Sequence, residues 1–246
     1  MNNFSRQKNG NALNKSLIYG KHPFFSVLKA KKRKIYQIFV SKKNQIELNK
    51  NIIEVCDTQK LDNIFPFPEK NHQGYILFAS EEQGLSFDSF LIQAQKQETL
   101  PELLILDQIL DPHNLGAIIR TAVAFGIENI IITSFNSVKD TPVVAKSSVG
   151  LSEIVNLIEV VNLNNTIKDL KNIGYFVIGL DGEAKLDINQ LKDPTNLALV
   201  LGNEGKGIRE LVKKNCDELV KIPMKECVES LNVSVATAIA IYELWG

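Results

Sequence analysis

The 246-residue chain is poor in the residues that staple, ligate or span. Its three cysteines, Cys56, Cys216 and Cys227, show no CxxC spacing. That argues against a zinc site or a disulfide framework and for a reducing compartment. The three histidines, His22, His72 and His113, are too scattered to suggest a metal. No apolar run approaches the roughly 20 residues of a membrane-spanning helix. Residues 1–15 are polar and lack the apolar core of a secretory signal, so a cytoplasmic protein is expected. A GxGxxG dinucleotide fingerprint is absent, and Gly205-Lys206 is followed by Gly207 rather than the Ser or Thr of a Walker loop. Ser230 has no histidine near it in sequence, which gives little support to a Ser-His-Asp hydrolase.

Net charge is lacking too, but only in sum. The chain carries 28 basic and 28 acidic residues. Residues 1–50 hold 12 Lys or Arg against one acid, Glu47, so the remaining 196 residues hold 16 basic and 27 acidic groups. A basic front on an acidic body suggests a nucleic-acid-facing segment, centred on Lys31, Lys32, Arg33 and Lys34. The plainer alternative is a solvated lysine face.

Apolar patterning divides the rest. Residues 1–15, rich in Asn and Lys without periodicity, read as a disordered basic tail. Residues 16–79 read as a small α/β unit: a helix at 22–30, strands at 35–40, 52–55 and 72–79, and a helical turn at 58–63. Residues 80–100 are polar and glutamine-rich, and are taken as a linker. From residue 101 to 246, apolar strands (103–107, 129–133, 157–161, 175–180, 197–201, 218–222) alternate with helices (115–125, 164–172, 208–215, 233–245). Such a pattern implies an α/β fold with a mostly parallel sheet covered by helices on both faces.

Three stretches hold the candidate chemistry. In the first, 107–122, Asn114 stands where a helix cap belongs, and Arg120 interrupts a helix of small and apolar residues. A guanidinium there reaches either water or an anion such as phosphate, which its planar fork fits. In the second, the Leu197–Leu201 strand breaks into Gly202-Asn203-Glu204-Gly205-Lys206-Gly207. Those glycines bare the backbone to a ligand, and Glu204 either caps the next helix or faces that ligand. In the third, Ser230-Leu231-Asn232 opens a small-residue helix that Ser230 or Asn232 caps.

Taken in order, Asp111-Pro112-x-Asn114-x-Gly116-Ala117-x-x-Arg120, Leu201-Gly202-x-Glu204-Gly205-x-Gly207 and Ile222-Pro223-Met224 … Ser230-Leu231-Asn232-Val233-Ser234-Val235-Ala236 resemble the three motifs of the SpoU (TrmH) RNA 2′-O-ribose methyltransferases of the SPOUT superfamily. Tyr19-Gly20-x-His22 and His72-Gln73-Gly74 resemble the small RNA-binding domain fused to some members, so the likeness covers about 16–246. One departure is Leu151, where the family segment Gly-Ala-x-Glu has Ala.

The resemblance implies a C-terminal trefoil knot, which unaided topology rules would not suggest. It implies S-adenosylmethionine bound at Gly202, Ile222 and Leu231, and a homodimer. Asn114, Arg120, Glu204, Ser230 and Asn232 would be the catalytic set, with Arg120 clamping phosphate or activating the 2′-hydroxyl. The two-domain layout favours a guanosine in 23S rRNA, free or in a precursor ribosomal particle. Alternatives are a tRNA ribose 2′-O-methyltransferase, an rRNA methylase conferring antibiotic resistance, and a non-catalytic ribosome-assembly RNA-binding protein.

Overall fold

The computed structural model describes residues 15–44, 52–65, 71–81, 84–139, 141–191, 195–225 and 227–246. The disorder expected at 1–14 therefore lies outside the described residues, while Lys15 already begins a strand. The chain divides into two units, Met1–Gln83 and Gly84–Gly246. Among the described residues no helix is long and apolar enough to cross a membrane.

The first unit is a four-stranded sheet in the order β1 (Lys15–Tyr19), β4 (Tyr75–Ser80), β2 (Ile35–Ser41), β3 (Ile53–Cys56). Both neighbours of β4 run antiparallel to it, and β2 and β3 are parallel. Side chains alternate across the pleat. Ile38, Val40 and Leu77 pack with Phe24 and Val27 of α1 (Lys21–Ala30). Phe39 and Ile76, one residue out of step, pack with Leu61 of α2 (Thr58–Ile64).

The second unit is built on a parallel seven-stranded sheet in the order β7 (Asn156–Val160), β6 (Asn129–Thr133), β5 (Leu103–Leu106), β10 (Leu197–Leu201), β8 (Phe176–Leu180), β11 (Glu218–Lys221), β9 (Leu186–Asp187). Its central strands are apolar throughout because both faces are covered. Leu104, Leu106, Leu199 and Leu201 meet α4 (Pro112–Ala124), α5 (Pro142–Ser147) and α8 (Val233–Trp245). Leu103, Ile105, Ala198 and Val200 meet α3 (Phe87–Ala94), α6 (Leu163–Asn172) and α7 (Glu210–Lys213).

One expectation needs correction. The stretch read as a linker carries α3, whose Phe90 and Ala94 are buried against the larger sheet. Phe87, Phe90, Leu91 and Ala94 recur at helical spacing, and the surrounding glutamines mask it. The short β1, β9 and α5 were not read from the sequence at all. Of these, α5 matters most to the site, because it lies hard against α4. A Cβ on Gly116 would come within 2.7 Å of the Ser147 Cβ and 2.8 Å of the Ser148 backbone nitrogen. Neither atom can swing aside.

Gly116→Ala tests that contact. Overpacking costs about 1–3 kcal/mol, against a helix-propensity gain of roughly 1 kcal/mol. The substitution should therefore lower the urea midpoint; an unchanged or raised midpoint would show that α4 and α5 separate freely.

Candidate active site

The strand order creates a place for a ligand. From β5 the chain leaves toward β6 and β7, whereas β10, its other neighbour, belongs with β8 and β11 on the opposite side. Parallel sheets open a crevice beyond their C-terminal ends at such a switch point. Beside it, beyond the C-terminal ends of β8, β10 and β11, a cavity of about 220 Å³ is lined by Asp181, Gly202, Glu204, Ile222, Ser230 and Leu231, among others. The expected cofactor residues Gly202, Ile222 and Leu231 thus come together, with Glu204 and Ser230 beside them. A second cavity of about 230 Å³ lies by the N-terminal ends of β5, β6 and β7, against Glu102, Asn129 and Asn156, and holds no motif residue.

Asn114 joins all three motif stretches. Its Nδ2 donates to Glu204 Oε1 at 2.8 Å, and its Oδ1 accepts from Asn232 Nδ2 at 3.0 Å. Asn232 Oδ1 in turn accepts from the Ser234 backbone N–H at 2.9 Å and the Ser234 hydroxyl at 2.6 Å, capping α8. The cap of α4 is not Asn114 but Asp111, which accepts from the His113 N–H at 2.8 Å. Pro112 then occupies the first helical position, where its missing N–H costs nothing. Helix α4 consequently begins three residues earlier than its apolar spacing suggests. Asn114, inside the first turn and 9% exposed, is free to point at the neighbouring loops.

The turn after β10 is shaped by backbone crowding. A Cβ on Gly202 would lie 2.1 Å from the Gly207 carbonyl carbon and 2.2 Å from the Ile208 nitrogen. Asn203 and Gly207 exchange backbone hydrogen bonds of 3.0 and 2.9 Å across the turn. The Asn203 Oδ1 also accepts from the Gly205 and Lys206 N–H groups. Glu204 is left to reach Asn114 and does not cap α7, whose N-cap position is Arg209.

Arg120 stands apart from this cluster. It is exposed on α4 and does not line the cavity. In the first unit, Lys31, Lys32 and Lys34 are exposed, but Arg33 is 7% exposed, with Nη1 directed at the Ser80 carbonyl 3.5 Å away. The expectation that Arg33 presents its charge outward is therefore corrected. Lys15, assigned to the tail, instead places its ammonium over the Tyr36 ring, as Lys34 does, at 5.3 and 5.8 Å from the centroid. The paired motifs of this unit also meet: Gln73 Oε1 accepts from the Lys21 N–H at 2.9 Å, serving the start of α1 where Gly20 has no side chain to offer.

Two ion pairs at the site escaped the sequence reading. Asp107, fully buried at the end of β5, is paired with Arg209. Asp181, on the cavity wall, lies 2.5 Å from Lys213 Nζ, and this bond raises the Lys213 pKa against the opposing effect of burial. An acid immediately after an apolar strand is a usable signal for Asp107. Its partner lies 102 residues away, and no local pattern indicates it.

Removing Asn114 would strand polar groups on two other motifs. Asn114→Ala and Asn232→Ala should each lower unfolding stability by about 1–3 kcal/mol. The double variant should fall short of the sum by about 0.5–3 kcal/mol, as for residues in one network. Strict additivity in urea unfolding would mean that the two amides act independently.

Comparison with known proteins matches the SpoU rRNA Methylase family over residues 101–242, and RNA 2′-O ribose methyltransferase substrate binding over 17–84. A Staphylococcus aureus protein named for the TrmH family of tRNA/rRNA methyltransferases is 39% identical over 237 residues, covering 95% of this chain and 92% of its own. The Coxiella burnetii 23S rRNA (guanosine-2′-O-)-methyltransferase RlmB is 36% identical over 234 residues, covering 92% and 94% respectively. Among solved structures, the SpoU methyltransferase AviRb from Streptomyces viridochromogenes, in complex with AdoMet, shares the fold with a TM-score of 0.78 at 17% identity, covering 94% of this chain and 89% of its own. With its three motifs joined through Asn114 and both of its units matched, the chain belongs to the SpoU rRNA methylase family.

Proposed function

We propose that this protein methylates the 2′-hydroxyl of a guanosine ribose in 23S rRNA, using S-adenosylmethionine, in the cytoplasm. The observation that carries the reading is Asn114 bonded at once to Glu204 and Asn232 beside a glycine-walled cavity. Structural neighbours described as tRNA-modifying cover only 65% and 58% of the chain, against 94% for an rRNA methyltransferase from Sinorhizobium meliloti. Together with the RlmB likeness, this favours rRNA. The same proposal includes free RNA or a precursor ribosomal particle as substrate, and the C-terminal trefoil knot.

The cavity suits the cofactor. Bare backbone at Gly202, Gly205 and Gly207 is available to a polar ligand, while Ile222, Leu231 and Val233 offer apolar walls. Bound there, S-adenosylmethionine supplies an electrophilic methyl group on a sulfonium. The chain's own contribution is chiefly placement, which is worth up to about 7–11 kcal/mol in favourable cases. Glu204, Asn114 and Asn232 form one hydrogen-bonded row that fixes the entry edge. Ser230, exposed beside it, has a hydroxyl available to the incoming ribose or phosphate.

Arg120 is assigned to the RNA rather than to the cofactor. The planar fork of donors suits a phosphate, so Arg120 clamps the phosphate and polarises the 2′-hydroxyl electrostatically rather than taking its proton. Its exposure fits a site completed across a homodimer. Phe125, just past the end of α4, and Val235 and Tyr242 of α8 are exposed apolar groups beside two packed helices, and they supply the surface for that pairing. Lys31, Lys32 and Lys34 then hold RNA phosphates from the first unit.

Nucleoside mass analysis of rRNA and tRNA from cells with and without the gene tests the substrate. Loss of one 2′-O-methylguanosine from 23S rRNA is expected. Loss from tRNA would move the substrate, and no lost methylation would overturn the reading. Arg120→Ala should reduce transfer by roughly 10²–10³-fold while leaving S-adenosylmethionine affinity unchanged; equal loss of both would sink its assignment to RNA. Reversing Lys31, Lys32 and Lys34 to Glu should weaken RNA binding and flatten the log–log salt slope by roughly 0.7–0.9 per lost phosphate contact. An unchanged slope would leave those lysines as solvated surface.

A further inference from the structure

Asp107 is 0% exposed and belongs to none of the groups assigned so far to cofactor or RNA. Among the described residues, Arg209 holds its carboxylate. Oδ2 accepts from the Arg209 backbone N–H at 3.0 Å and Oδ1 accepts from Arg209 Nε at 2.8 Å, while Arg209 Nη2 pairs with Oδ1 at 2.8 Å. The Asp107 N–H donates to the Leu201 carbonyl at 2.8 Å. The next residue, Gln108, adopts φ 63°, and its carbonyl accepts from Asn203 Nδ2 at 2.9 Å. Two consecutive residues after β5 are thereby tied to the last residue of β10, to the start of the glycine turn and to its exit.

Within the turn only Asn203 braces the backbone, through the Gly205 and Lys206 N–H groups, and it does not reach the exit beyond Gly207. Gly202, Gly205 and Gly207 provide no side chain, and glycine has the most backbone freedom to lose on ordering. Close approach of Gly202 to Gly207 and Ile208 requires the exit segment to stay where it is. Gly207 is bonded back to Asn203, and beyond it the exit is anchored at the Arg209 nitrogen, which the Asp107 carboxylate holds. A carboxylate withdrawn fully from water is costly unless paired and hydrogen-bonded, and here Arg209 meets that requirement.

We infer that Asp107 and Arg209 are positioning residues for the cofactor turn: their ion pair holds the Gly202–Gly207 backbone in its binding shape before the cofactor arrives. The inference rests on the reading of this cavity as the S-adenosylmethionine site. Ordering done in advance is not charged against binding. Loosening the pair therefore weakens cofactor affinity first and leaves the chemistry of a bound complex largely intact.

The test uses the full-length protein with Asp107→Asn and, separately, Arg209→Lys, which keeps the charge but loses the two-pronged grip on Oδ1. For Asp107→Asn, both KM and Kd for S-adenosylmethionine should rise roughly tenfold to hundredfold. The kcat at saturating cofactor should stay within about threefold, the signature of lost binding rather than lost transition-state contact. Arg209→Lys should fall between wild type and Asp107→Asn. Without any cofactor, amide hydrogen exchange at residues 205–208 should quicken in both variants. A merely structural pair would give a different result: a lower Tm and less active protein, with KM, Kd and exchange in the folded fraction unchanged. That outcome overturns the inference. If wild-type protein fails to bind S-adenosylmethionine, the cofactor reading falls, while the exchange comparison still decides whether the pair orders the turn. Should Asp107→Asn not fold, Arg209→Lys carries the same readouts.

Discussion

The contact between Gly202 and the backbone of Gly207 and Ile208 is the constraint on which the site depends. At 2.1–2.2 Å from a notional Cβ, that approach admits hydrogen and nothing larger. It folds the chain leaving β10 back on itself, so that Asn203 and Gly207 pair, and Glu204 stands at the tip facing α4. Everything else at the site meets this turn. Asn114 reaches it from the first turn of α4, Asn232 reaches Asn114 from the start of α8, and Ile222 and Leu231 close the far wall.

The parallel sheet explains why these pieces converge. Each strand delivers its C-terminal loop to one edge; the loops after β5 and β10 lie side by side, bonded through Asp107 and Gln108, and the cavity opens from the β10 turn toward the ends of β8 and β11. The two apolar layers fix the strands to the helices that carry Asn114 and Asn232. Polar chemistry is thus confined to loops and helix starts on a rigid apolar frame, which lets single hydrogen bonds set distances across more than 100 residues of sequence. The first unit follows the same economy on a smaller scale: Gln73 serves the start of α1 and brings its two glycine-bearing motifs into register.

Most of the larger sheet was legible in the sequence because its signal is strong and local. Runs such as Leu197–Leu201 are apolar throughout, and the helices between them repeat at 3.6 residues. The three motifs were legible as short patterns, and the structure draws Asn114, Glu204 and Asn232 into direct contact. Other features carry no local signal. Helix α5 has six residues and begins at a proline; α3 hides its apolar face among glutamines. Arg33 sits in a run of lysines that look equivalent, but strand pairing turns it inward toward Ser80. The pairing of Asp107 with Arg209 follows from the neighbouring of β5 and β10, which is a property of topology and not of either stretch alone.

The central claim is that the turn after β10, braced from the loop after β5, forms one cofactor site with the end of β11 and the segment leading into α8. Amide hydrogen exchange of the wild-type protein with and without S-adenosylmethionine addresses it most directly. Protection on binding should concentrate at 201–209 and 222–233 and spread to the start of α4 through Asn114. Protection centred instead on the cavity beside Glu102 and Asn129, or on the first unit, would contradict the claim.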